Sequence, residues 1–227
     1  FSVGREGPAV HLGAASSSYI GNILKLPHNS MRTLCGCGVA AAIAASFNTP
    51  IAAVLFVMEV ILREYKIHMF IPIMLSAMVG SLMTRSVFGP VHEFEYFSQI
   101  TMHYEHYPWL IVAGIFLGSL AFLFNRYLVL IIKFSEKYHI FPRLMVAAFI
   151  TGGLGYFIPF AMGTGLSAVE FSMNHPYEFQ LLFALLVTKL AMTVFALGLG
   201  IPGGIIGPIL GIGSIAGACI AAIVVLF

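Results

Sequence analysis

Charged residues are scarce in this chain, and aspartate is absent from it. Only 9% of the 227 residues are charged, and all nine acidic residues are glutamates. A soluble domain carries about a quarter charged residues. The lack of aspartate excludes paired-aspartate catalysis and aspartate-based metal sites. The net charge of +2 is too small, and too scattered along the chain, to predict a nucleic-acid partner.

Apolar residues are correspondingly abundant. They make up 59% of the chain, and the mean hydropathy is +0.97, which is typical of a protein embedded in a lipid bilayer. Because the first residue is Phe1 and not a start methionine, we expect the chain to be part of a longer protein. No secretory signal pattern opens the chain. The three cysteines, Cys35, Cys37 and Cys219, are interpreted as small packing residues.

The apolar segments have uneven lengths and almost no hydrophilic loops between them. They fall at residues 6–24, 31–47, 50–62, 67–88, 108–135, 141–161, 166–174, 179–198 and 204–227. A membrane-crossing helix needs about 20 apolar residues, so 31–47, 50–62 and 166–174 are too short, whereas 108–135 must tilt. Broken helices inside a membrane are typical of channels and transporters. The sequence therefore predicts an all-α, multi-pass integral membrane protein with tilted and broken helices.

The distribution of lysine and arginine predicts an orientation in a cell membrane, either a plasma membrane or an inner membrane. Residues 63–66 and 126–143 carry basic clusters, whereas 89–107 and 163–178 carry glutamates without lysine or arginine. Because cytoplasmic loops are enriched in basic residues, we expect the first two regions to face the cytoplasm and the other two to face outside.

Two glycine-rich stretches resemble helix starts that face a ligand. They read "GREGP" at residues 4–8 and "GIPGGIIGP" at residues 200–208, and each opens an apolar run. Proline in the first turn of a helix loses no hydrogen bond, and glycine leaves backbone N–H groups uncovered. Two such helix N-termini would bind an anion through N–H donors and the helix dipole, without a full positive charge.

These stretches, in this order, resemble the CLC family of chloride channels and chloride/proton exchangers. The resemblance rests on "GREGP" followed by "VH", on "SFNTPIAAVLFVMEV" and on "KLAMTVFALGLGIPGGIIGP". It implies a homodimer whose subunits each contain a pore, built from inverted repeats of tilted and broken helices. It implies no cofactor, with chloride and similar anions as the ligand. Residues 1–227 would then be part of the transmembrane domain, with the pore serine before Phe1 and the pore tyrosine after Phe227.

The resemblance also implies roles for single residues. Glu6 matches the gating glutamate, whose carboxylate competes with chloride. Ile205 and Ile206 match the pair whose backbone N–H groups contact the ion, although the family usually has an aromatic residue where Ile206 stands. The other residues that match the filter are Gly4, Arg5, Gly7, Pro8, Gly204, Gly207 and Pro208.

Val60 stands where proton-coupled members of the family have a proton-relaying glutamate. Valine carries no proton, so the resemblance favours chloride conduction of the voltage-gated-channel type. Some exchangers have another residue at this position, so proton-coupled antiport is the alternative.

Three charged residues have alternative interpretations. Glu6 can be a plain helix-start acid paired with Arg5. Glu59 can be a buried pore acid, but the i, i+4 spacing favours an ion pair with Arg63. Lys189, within an apolar segment, serves either helix packing or the electrostatic potential of an inner vestibule.

A metal site and an enzyme are the remaining alternatives. His92, His103 and His106 lie among glutamates, but they lack metal-site spacing, so we interpret them as part of a solvated loop without a metal. An intramembrane enzyme would need a catalytic pair, and the one available, Glu6 with His11, diverges around a helix. We therefore expect a protein that is not an enzyme.

Overall fold

The computed structural model describes residues 1–89, 107–174 and 178–226, and every regular element in these ranges is a helix. The α-helices are α1 (Glu6–Ile23), α2 (His28–Phe47), α3 (Pro50–Phe56), α4 (Ile67–Phe88), α5 (Tyr107–Ser135), α6 (Ile140–Phe157), α7 (Leu166–Asn174), α8 (Phe179–Gly198) and α9 (Ile206–Leu226). A π-helical segment, Val57–Leu62, continues α3, and a 3₁₀ turn, Pro159–Ala161, follows α6. The prediction of an all-α protein with broken helices is confirmed.

Six of the described helices are long and apolar enough to cross a membrane: α2, α4, α5, α6, α8 and α9. Helix α2 differs from the prediction, which took the apolar segment 31–47 to be too short to cross a membrane. The helix begins earlier, at His28, directly after the extended Pro27, and reaches 20 residues. Its first turn is polar, so the apolar count missed it. The short segments at α3 and α7 remain short, as predicted.

The chain folds into two compact units. The first, here the N-proximal unit, comprises Arg5–Glu95 and contains α1 to α4. Its centre is α2, which packs against α1, α3 and α4. The backbones of α1 and α2 touch, because a Cβ added to Gly13 would lie 2.3 Å from the carbonyl oxygen of Gly38. Small residues in α2 therefore allow the two helices to approach closely.

The second unit, here the C-proximal unit, comprises Phe1–Gly4 and Tyr96–Phe227. Its centre is α8, which packs against α5, α6 and α9, while α7 packs against α9. The core is apolar, with buried leucines, isoleucines and alanines from several helices. A charged side chain is also fully buried there, that of Lys189 in the middle of α8. The short N-terminal segment 1–4 belongs to this unit, although it precedes α1.

Candidate functional site

The C-proximal unit joins the two glycine-rich motifs by a pair of backbone hydrogen bonds. The N–H of Gly4 donates to the carbonyl of Gly204 at 2.7 Å, and the N–H of Gly204 donates back to Gly4 at 2.8 Å. Both glycines are buried. A Cβ added to Gly203 would lie 2.6 Å from the Cβ of Val3, so glycine is required for this close approach. The first residue of one motif and a glycine of the other thus pair within the C-proximal unit.

Two further contacts hold the segment 1–4 within the C-proximal unit. The buried hydroxyl of Ser2 hydrogen bonds to the hydroxyl of Thr193 on α8 at 2.9 Å. The carbonyl of Phe1 accepts a hydrogen bond from the N–H of Gly163 at 3.0 Å. These contacts fix the backbone that carries Gly4 to its partner Gly204. The contacts of Ser2 and Gly163 were not predicted from the sequence, although the glycines of "GTG" at 163–165 signal a special backbone.

Helix α9 presents backbone donors where it begins. The first N–H groups of an α-helix have no intrahelical acceptor, and among the described residues the amides of Ile205 and Ile206 donate no backbone hydrogen bond. Pro208, in the same turn, has no N–H to satisfy. Gly165, with a φ of 109°, lies directly against the backbone of α9. A Cβ added to Gly165 would lie 2.3 Å from the carbonyl oxygen of Gly207. The start of α9 is therefore rigidly supported, with donors that can bind an anion.

Ile206→Pro tests these donors with little disturbance of the helix. Ile206 is the first residue of α9, a position where proline is well tolerated, yet proline has no N–H. A hydrogen bond to a charged group contributes about 1.5–3 kcal/mol, so we expect chloride binding, measured by calorimetry, to weaken about 10- to 100-fold. Ile206→Val, which keeps the N–H, is the control. Unchanged binding in Ile206→Pro would show that this amide does not contact the ion.

The start of α1 carries the other predicted filter residues, in the N-proximal unit. Glu6 is the first residue of α1 and only 6% exposed, where the helix dipole favours a carboxylate. The guanidinium of Arg5 donates to the carbonyl of Ser46 and lies 5.8 Å from the ring centre of Phe47. Arg5 thereby ties the start of α1 to the end of α2. Gly7 and Pro8 complete the first turn.

The segment around Val60 differs from the expected regular helix. Val57–Leu62 is π-helical, and Arg63 ends it in a left-handed conformation with a φ of 55°. The predicted ion pair between Glu59 and Arg63 is wrong, because Arg63 leaves the helical face on which the i, i+4 spacing depends. Glu59 and Val60 are both exposed on this unit, and Glu59 has no ion-pair partner among the described residues.

The ion pairs near this helix end involve Glu64 instead. Its carboxylate lies 2.7 Å from the ammonium of Lys66 and 3.4 Å from the guanidinium of Arg32. The hydrogen bond and the charge of Lys66, together with the charge of Arg32, lower the pKa of Glu64. Glu64 is therefore ionised at neutral pH and holds the loop 63–66 against the start of α2.

Lys189 links several parts of the C-proximal unit. Its buried ammonium donates to the carbonyl of Ala161 at 3.1 Å and to the hydroxyl of Ser2 at 3.4 Å. A Cβ added to Gly211 on α9 would lie 2.8 Å from the Cε of Lys189. The packing alternative is therefore observed directly. An influence of this charge on the potential of a vestibule stays a prediction.

The described residues offer no support for a metal centre or a catalytic pair. Residues 1–89, 107–174 and 178–226 contain no cluster of three metal-binding side chains, and His92, His103 and His106 lie outside these ranges. Glu6 is buried at the start of α1, whereas His11 is exposed on the same helix, so the two side chains do not share one environment.

The chain belongs to the voltage gated chloride channel family, whose profile matches residues 1–227. The H(+)/Cl(-) exchange transporter ClcA of Vibrio cholerae is 29% identical over 230 residues, which cover 95% of this chain and 48% of that protein. A putative chloride channel protein ClcB-like of Ralstonia nicotianae is 28% identical, over 95% of this chain and 52% of that protein. The chain thus spans about half the length of these relatives, and its family is one of channels and transporters, not enzymes.

Solved structures show the same fold. A slow cyanobacterial Cl-/H+ antiporter superposes with a TM-score of 0.84 at 21% identity, over 99% of this chain and 54% of that one. A CLC-type fluoride/proton antiporter superposes with a TM-score of 0.76 at 27% identity, over 95% of this chain and 55% of that one. The predicted CLC-type architecture is therefore confirmed. Together with the six apolar helices, it makes this a multi-pass integral membrane protein.

Proposed function

We propose that the full protein containing this chain transports chloride across a membrane in exchange for protons. The observation that carries the proposal is the backbone pair between Gly4 and Gly204, which fixes the segment before α9, a helix whose start has backbone donors of the kind that binds anions. The names of the relatives support exchange, because the Vibrio cholerae protein is an H(+)/Cl(-) exchange transporter. We also propose the homodimer that the family resemblance implies, with one pore in each subunit.

The proposed filter binds chloride through neutral dipoles. Backbone N–H groups at the start of α9 replace part of the water around the ion, and the dipole of that helix adds positive potential. Neutral donors suit a transporter, because an ion must bind well enough to enter and weakly enough to leave. Glu6 serves as the gate, since its carboxylate competes with chloride when ionised and withdraws when protonated.

The proposed proton path uses two glutamates of the N-proximal unit. Val60 carries no proton, but Glu59, one residue earlier, is exposed and forms no ion pair with Arg63. Because the predicted ion pair with Arg63 is not formed, Glu59 is compatible with a role in proton transfer. Glu59 and Glu6 are the proposed proton carriers on this chain.

A second candidate function is chloride conduction without proton movement. The observation that favours it is Val60, since this position lacks the acid that the family's proton-coupled members use. The two candidates share the filter and the gate, and they differ only in whether a proton moves with each transport cycle.

Liposomes that contain the full-length protein and a pH-sensitive dye separate these candidates. With an outward chloride gradient and no pH gradient, exchange drives protons inward against their developing gradient, whereas conduction moves chloride alone. We expect uphill proton movement that a protonophore collapses, and none in empty liposomes. Chloride flux without uphill proton movement would establish the second candidate. Absence of any anion flux, with chloride or with fluoride, would refute both.

A further inference from the structure

The carbonyl end of α8 directly precedes the proposed anion filter. The helix ends at Gly198, and residues 199–205 connect it to α9. The last carbonyls of a helix lack intrahelical donors and form the negative end of its dipole. An uncovered negative end beside a chloride path would repel the ion, so the partners of these carbonyls matter for function.

The loop itself covers two of the four terminal carbonyls. The N–H of Ile201 donates to the carbonyl of Ala196 at 2.9 Å, and the N–H of Gly200 donates to Leu197 at 3.1 Å. Gly200 has a φ of 97°, a conformation that favours glycine. This pattern is the Schellman motif, which commonly closes α-helices.

Two other helices cover the remaining two carbonyls. The hydroxyl of Ser135, the last residue of α5, donates to Gly198 at 2.8 Å and is buried. The Nε of Arg143, in the first turn of α6, donates to Leu199 at 3.1 Å. A Cβ added to Gly200 would lie 3.0 Å from a guanidinium nitrogen of Arg143. All four terminal carbonyls of α8 thus have donors, and one of these donors is a cation.

We propose that Arg143 and Ser135 are positioning residues for the anion filter. They fix the direction in which residues 199–205 leave α8, and the charge of Arg143 offsets the negative end of that helix. This inference rests on the proposed function, because it assumes that the loop leads into a chloride site. Neither residue contacts the ion; both act through the backbone of Gly198 and Leu199.

The chain offers a matched control for the charge of Arg143. Lys137 lies in the turn between α5 and α6 and is exposed, and it donates to no carbonyl of α8. Lys137→Gln therefore removes one positive charge from the same region without changing the cap. A general effect of surface charge would appear in both variants, whereas an effect of the cap would appear only at position 143.

The experiment compares Arg143→Gln, Arg143→Lys, Ser135→Ala and Lys137→Gln in the full-length protein. We expect Arg143→Gln to weaken chloride binding, measured by calorimetry, about three- to tenfold. Arg143→Lys should recover part of this loss because it keeps the charge, Ser135→Ala should weaken binding to a smaller extent, and Lys137→Gln should match the unmodified protein. Equal binding in Arg143→Gln and Lys137→Gln would overturn the proposal.

Hydrogen exchange of the peptide that contains Gly200 and Ile201 provides a readout that does not depend on transport. We expect these amides to exchange faster in Arg143→Gln and in Ser135→Ala, because the Schellman motif loses its support, and to be unchanged in Lys137→Gln. Unchanged exchange in both cap variants would show that the two residues do not position the loop. If the proposed function fails, the unmodified protein shows no anion flux, while the hydrogen exchange of the two cap variants is still faster than that of the unmodified protein. The two failures are therefore distinguishable.

Discussion

Glu6→Ala is expected to raise passive chloride flux by about tenfold or more and to abolish its dependence on pH. The carboxylate of Glu6 is almost fully buried at the start of α1, so its charge is poorly screened. A negative charge that competes with chloride at a desolvated site costs more than about 1.4 kcal/mol, which corresponds to a factor of ten. The measurement is chloride efflux from liposomes across a series of pH values.

The sign of the pH response follows from the chemistry of the carboxyl. Acid protonates Glu6, removes its negative charge and favours chloride, so flux through the unmodified protein should rise as the pH falls. Glu6→Gln resembles the protonated form and should give high, pH-independent flux. Glu136→Gln, which neutralises an exposed glutamate beyond the end of α5, is the control and should keep the pH response. A Glu6→Ala variant with normal flux and a normal pH response would exclude the gating role.

Helix positions follow largely from the sequence, because a helix in lipid must satisfy its backbone internally and expose apolar side chains. The apolar segments 67–88 and 179–198 coincide with α4 and α8. The segment 141–161 proved discontinuous, since Ile158 leaves the helical conformation before Pro159, with a ψ of 82°. Proline disfavours a helical conformation in the preceding residue, so the sequence did contain this signal.

The partners within the site were less predictable than the motifs. The stretches at 4–8 and 200–208 were recognisable, because glycine and proline at a helix start have a direct physical meaning. The pair between Gly4 and Gly204 uses only backbone atoms, so no side chain indicates it. The donors from Ser135 and Arg143 to the end of α8 come from distant parts of the chain, and single serine and arginine residues do not reveal their acceptors.

The error at Glu59 has a different origin. The i, i+4 rule assumes a regular α-helix that continues past both residues, but "VMEVIL" is π-helical and Arg63 turns out of it. No glycine or proline occurs in this stretch to signal the change. The consequence concerns the proposed function, because no ion pair with Arg63 stands against Glu59 as a proposed proton carrier.

Glu59→Gln is therefore expected to abolish uphill proton movement while chloride flux continues. A proton that crosses the protein needs titratable groups or water to carry it, and Val60 supplies none. Glutamine keeps the size of Glu59 but has no proton to release. The measurement uses the liposomes with a chloride gradient and a pH dye, with chloride efflux recorded in the same preparation.

Glu64→Gln is the matched control, because Glu64 lies close to Glu59 in sequence but forms ion pairs with Lys66 and Arg32 outside the helix. It should leave proton movement unchanged. Val60→Glu in the Glu59→Gln background places an acid one residue further along, and restored proton movement would show that the segment Val57–Leu62 carries the proton. If Glu59→Gln pumps protons as well as the unmodified protein, Glu59 is not a carrier. If the unmodified protein moves chloride but no protons, Val60 marks an uncoupled channel, and Val60→Glu alone becomes the variant in which coupling should first appear.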